Sequence, residues 1–205
     1  MSSTSIVTFL MIFSMSVFQS TELPSQLNDF DLKIQQGKNE IPITTSQQSI
    51  DLEKEKFSVY FNIKKDDDIA QNYHAARLVA DIDPDIFLQF ESGKAFDKIP
   101  ALSAGTSMAG PKDAPYECIF FDDQAHHYIF YNNEEEKRAN LISKKENGIV
   151  QLSFDVENYC MQDLEVNIEN SNFEKLYFVF LIDENLNEKV EEGEYVKLIV
   201  NLKKK

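Results

Sequence analysis

The densest grouping of residues able to do chemistry lies near the C-terminus, in Asp183-Glu184-Asn185-Leu186-Asn187-Glu188-Lys189-Val190-Glu191-Glu192-Gly193-Glu194. Oxygen-bearing side chains occupy the first, third, fifth, ninth and twelfth positions of this stretch, the spacing with which a loop wraps calcium. Asp183, Asn185 and Asn187 would supply oxygens in succession, and Lys189 its backbone carbonyl. Glu191 would add the ninth-position oxygen, and Glu194 would close the site with both carboxylate oxygens. Val190 at the eighth position suits a short β contact. Glu188 stands at the sixth position, where the sharp turn normally takes glycine. Calcium is one expectation for this stretch. A solvated hairpin connection is the other, because turns favour Asp and Asn for their own backbone reasons.

Other groupings are less complete. His126 and His127 follow Asp122 and Asp123, but neighbours on a strand point to opposite faces and cannot share one ion. Asp81, Asp83 and Asp85 surround Pro84 without a closing carboxylate at a recognisable spacing. Gly105-Thr106-Ser107-Met108-Ala109-Gly110-Pro111 resembles the nucleophile motif of the subtilisin-like serine proteases, with Ser107 in the nucleophile's place. That resemblance implies a helix opening at Ser107 and a His and an Asp to complete a triad. The family's His and Asp motifs are absent, and Pro115 would interrupt such a helix. The segment therefore reads as a loop of small residues, and no catalytic residue is assigned. Phosphate-binding glycine loops, dinucleotide fingerprints and paired-cysteine zinc signatures are also missing from the sequence.

The elements that must position these groups are mainly strands. Phe57, Val59, Phe61 and Ile63 alternate with more polar neighbours, as do Val150, Leu152, Phe154 and Val156. Leu164, Val166 and Ile168 repeat the pattern, and so do Val196, Leu198, Val200 and Leu202. Leu176–Ile182 is apolar on both faces, as a central strand covered on both sides would be. Ile50 and Leu52 begin a shorter strand. Further strands are expected at Phe30–Ile34, Ile86–Phe90, Tyr116–Phe121 and His127–Tyr131. Asp66–Ala80 carries near-helical spacing behind three aspartates, although Leu78-Val79-Ala80 also suits the start of a strand. The resulting fold class is all-β: an antiparallel β-sandwich, jelly-roll or immunoglobulin-like, with at most one short helix. Residues 94–115 form the longest irregular stretch.

The chain has 205 residues, enough for one sizeable domain. Its formal net charge of −15 repels a phosphate backbone, so no nucleic-acid partner is expected. Residues 6–18 form an uncharged apolar run, too short to span a membrane and similar to a signal-peptide core. The organisation expected is therefore a signal-like segment over 1–20, a linker over 21–28 and one β-rich domain over 29–205, without a membrane span in the mature chain. Secretion or export to a periplasm follows, with a cytoplasmic location as the alternative. Export would pair Cys118 with Cys160 in a disulfide; a reducing compartment would leave two thiols. The function expected is a non-catalytic exported module that binds a protein or glycan surface, with calcium as its candidate cofactor. An acidic inhibitor or immunity-type protein blocking a basic partner is the second reading, and a hydrolase the third.

Overall fold

A computed structural model of the chain describes residues 30–64, 75–103, 106–108, 118–121, 129–131, 140–144, 148–161, 164–183, 185 and 187–204. The signal-like segment, the linker, and the Asp122–His127 grouping lie outside them.

Strands dominate. β1 (Lys33–Gln36) and β2 (Asn39–Pro42) form a hairpin, followed by β3 (Gln47–Glu53), β4 (Phe57–Lys64) and β5 (Ala75–Asp81). Two one-turn helices follow, α1 (Ile86–Gln89) and α2 (Pro100–Ser103), with a 3-10 turn at Phe96–Lys98 between them. Then come β6 (Thr106–Met108), β7 (Cys118–Phe121), β8 (Ile129–Tyr131), β9 (Asn140–Lys144), β10 (Ile149–Val156), β11 (Asn158–Met161) and β12 (Leu164–Asn167). The long strands β13 (Lys175–Asp183) and β14 (Tyr195–Lys203) close the chain.

Two sheets pack face to face as an all-β sandwich, and most pairings are antiparallel. One sheet has the order β2-β1-β4-β10-β9 and the other β3-β14-β13-β5-β7-β6; a third, smaller sheet is β12-β11-β8. The chain passes from sheet to sheet rather than only from hairpin to hairpin. Strands distant in sequence therefore meet in parallel, β14 against β3 and β5 against β7.

Alternation decides the core. Phe57, Phe61, Leu152 and Phe154 from one sheet meet Phe178, Phe180, Leu198 and Val200 from the other, all almost fully buried. Phe57 stands edge-on to Phe178 at 6.0 Å, and Phe61 meets Phe180 at 5.1 Å, so aromatic pairs bridge the two sheets. The opposite face of β13 belongs to a second core, in which Val179 and Leu181 pack with Ile86, Phe90, Phe96, Ile99, Leu102 and Val190. Both faces of Leu176–Ile182 are thus covered, as the sequence implies.

Two local expectations need correction. Ile86–Phe90 is not a strand: residues 86–89 form α1. The Asp81 carboxylate accepts the Asp83 N–H and the Asp83 carboxylate accepts the Asp85 N–H, and these successive side-chain turns curl the chain into the helix. Ile86 and Phe90, four residues apart, then bury on one side. The segment after α1 supplies a second one-turn helix, α2, where at most one helix was expected. At the other ambiguous segment, residues 75–81 are the strand β5. Ser107 lies within β6, paired with β7, and not at a helix start.

Candidate functional site

Strand register builds a floor on the outer face of the six-stranded sheet. Ser49, Ile199 and Tyr177 align across β3, β14 and β13, and Gln47 sits opposite Lys197 in the adjacent row. These side chains point away from the inter-sheet core because their neighbours Ile50, Leu198, Val200 and Phe178 point into it. Beside this floor α1 and the two residues leading into it stand as a wall, formed by Pro84, Asp85, Phe87 and Leu88. Together they enclose a groove of about 660 Å³, within the size range of ligand sites.

Contacts of Lys197 and Tyr177 fix the wall. The Lys197 ammonium donates to the Phe87 carbonyl at 2.8 Å and the Phe90 carbonyl at 3.2 Å, tying the C-terminal end of α1 to β14. It also lies over the rings of Tyr195 and Phe87, at 5.4 and 5.9 Å. The Phe87 ring stands edge-on to Tyr177, centroids 5.5 Å apart. Burial holds the Lys197 ammonium below its ordinary pKa, while Glu91 opposes that shift. Burial first, then Glu192 and Glu91, push the Tyr195 phenol upward. Leu88 is 69% exposed at the rim, the most exposed large apolar side chain among the described residues.

The Asp183–Glu194 stretch connects β13 to β14. Asp183 is buried, and its two carboxylate oxygens accept the N–H groups of Asn187 (3.1 Å) and Glu188 (3.0 Å). The Asn185 side-chain oxygen accepts the Asn187 N–H at 3.0 Å, and the Asn187 oxygen accepts the Lys189 N–H at 2.9 Å. Glu188 takes the left-handed conformation, φ 56°, that glycine supplies in calcium loops. The turn therefore forms without glycine. Lys189, at the seventh position, bridges to Ala95, and Val190 donates to the Lys94 carbonyl at 2.9 Å.

The candidate ligands are brought only partly together. Asn185 and Asn187 donate their amide N–H groups to the Glu191 carboxylate, at 2.7 and 3.1 Å. Glu194 is buried at the start of β14, and its carbonyl accepts the Ile182 N–H. Among the described residues, no three His, Cys, Asp or Glu side chains converge as a metal-holding group. A protein cation lies nearby instead: Arg77 of β5 sits 4.0 Å from the Phe96 ring centroid. Burial disfavours its charge, while Asp183 and Glu188 favour it. Cys118 and Cys160 lie on β7 and β11, in different sheets.

The groove went unread in the sequence, although a partial signal exists. Tyr195 and Ile199 put apolar bulk on the outward face of β14, where full exposure would favour polar residues. Phe87 and Leu88 lie within Ile86–Phe90, where a strand was expected, and Pro84 lies just before it. Among the described residues no helix is long and apolar enough to cross a membrane. No family model, curated protein or solved structure matches the chain.

Proposed function

We propose that this chain is a non-catalytic β-sandwich module that binds a protein or glycan surface through the groove between α1 and the floor of β3, β14 and β13. The observation that carries this reading is the groove itself. Tyr177, Ile199, Phe87 and Leu88 give it an apolar lining, and Gln47, Asp85 and Lys197 add a few polar groups. A net charge of −15 turns the site away from polyanions. Export, with a Cys118–Cys160 disulfide, belongs to the same reading; two free thiols in the natural protein would remove that part of it.

A structural calcium ion at the β13–β14 connection is a further element. The left-handed turn at Glu188 and the ladder of side-chain oxygens over backbone N–H groups support it. Asp183, Asn185, Asn187, the Lys189 carbonyl, Glu191 and Glu194 would hold the ion, once the two amides release Glu191. Its role would be to fix the hairpin and, through Val190, the segment that follows α1.

The test compares the full chain with its Leu88→Asp and Ile199→Asp variants on printed arrays of glycans and peptides. The reading expects a ligand class that wild type retains and both variants lose. Ligands held equally by all three proteins would place binding elsewhere.

A further inference from the structure

We infer that the groove takes a neutral oligosaccharide, a ligand class that deepens the binding reading above and rests on it. The argument begins with charge. Among the described residues, the groove lining carries one cation and one carboxylate, Lys197 and Asp85, and the cation is already committed to the carbonyls of Phe87 and Phe90. Neither an anionic nor a strongly cationic ligand finds an excess of opposite charge there. The chain's surplus of acid further disfavours sulfated or phosphorylated chains.

Hydrogen-bonding capacity points the same way. Among the described residues, no hydrogen bond engages the Gln47 amide, the Asp85 carboxylate or the Tyr177 hydroxyl. Ser49 accepts from Asn201 at 3.0 Å and keeps its own O–H to donate. An amide, a carboxylate and two hydroxyls thus stand around an apolar floor. A neutral sugar presents a matching surface, with C–H groups on one face and hydroxyls that donate and accept along its edge. The C–H face would lie on Tyr177 and Ile199, and the edge hydroxyls would meet Gln47 on the floor and Asp85 on the wall. A peptide segment also carries donors and acceptors, and its binding is one of the outcomes the test below distinguishes.

Isothermal titration of the full chain with cellohexaose, maltohexaose, mannohexaose and N-acetylchitohexaose tests the inference. The expected result is saturable binding of at least one, insensitive to salt, weakened by on the order of tenfold in Tyr177→Ala and in Asp85→Asn. Binding by none of the four would overturn it. So would binding that both variants leave intact. An array peptide lost by Leu88→Asp, with no saccharide bound, would overturn the sugar assignment while sparing the groove. Saccharide and peptide binding alike indifferent to Tyr177, Asp85 and Leu88 would remove both.

Discussion

Phe87 stands edge-on to Tyr177, ring centroids 5.5 Å apart with an interplanar angle of 86°, and this contact joins the α1 wall to the floor of the groove. One ring comes from a one-turn helix and the other from the central strand of the sheet. The helix is too short to persist alone, so its position depends on such contacts. Removing the Phe87 ring should lower the melting temperature modestly and open the groove. Phe87→Ala is therefore expected to lose ligand more than stability, whereas Phe180→Ala, in the core between the sheets, should cost roughly 3–5 kcal/mol. Urea unfolding of both variants checks the contrast.

Leu88 is exposed at the rim and makes little contribution to folding. Leu88→Asp should change stability by no more than about 0.5 kcal/mol. A large loss in thermal unfolding would mean that Leu88 is covered in the native protein.

The half-buried ammonium of Lys197 predicts a pH dependence. Its folded pKa lies below the ordinary 10.5, so the folded chain releases this proton before the unfolded chain does. In the window between the two values the unfolded state binds more protons, and stability rises with pH. Urea midpoints measured upward toward the ordinary lysine pKa should show this rise, and Lys197→Met should flatten it. The same variant should also loosen α1, since the Phe87 and Phe90 carbonyls lose their donor. A slope unchanged in the variant would show that another group sets it.

Much of the sandwich was legible because period-two alternation reports directly which side of a strand meets a core. Val196, Leu198, Val200 and Leu202 point inward as their spacing requires. The double covering of β13 followed from its unbroken apolar run. The parallel pairing of β3 with β14 was not legible, because pairing between distant strands leaves no local trace. Ile86–Phe90 misled for a physical reason. Five residues are too few to separate a strand from one helical turn, and the aspartate turns that decide between them act through side-chain bonds. The groove needs three strands and α1 in register, so no window of sequence contains it.

Glu188 holds a left-handed backbone that disfavours a side chain by roughly 1–2 kcal/mol. Glu188→Gly relieves that strain, at some cost in unfolded-state entropy and in attraction to Arg77. The expected net effect is a gain of up to about 1 kcal/mol in urea unfolding. Glu188→Val should destabilise instead.

Calcium should raise the melting temperature of the chain above its value in EDTA, with magnesium giving a smaller shift. A micromolar site in 1 mM calcium adds about 4 kcal/mol. Asp183→Ala should abolish the shift and also lower stability without calcium, because the Asn187 and Glu188 N–H groups lose their acceptor. No shift would leave Asp183–Glu194 as a turn held by its own side chains and by Arg77.

The most direct test of the groove as the binding face is an amide nuclear magnetic resonance titration of the full isotope-labelled chain with the four neutral hexasaccharides. The account predicts saturable shifts confined to the amides of Gln47, Ser49, Leu88, Tyr177, Lys197 and Ile199 and their neighbours. Shifts clustered on another face would contradict it, and none at saturating saccharide would overturn the sugar assignment.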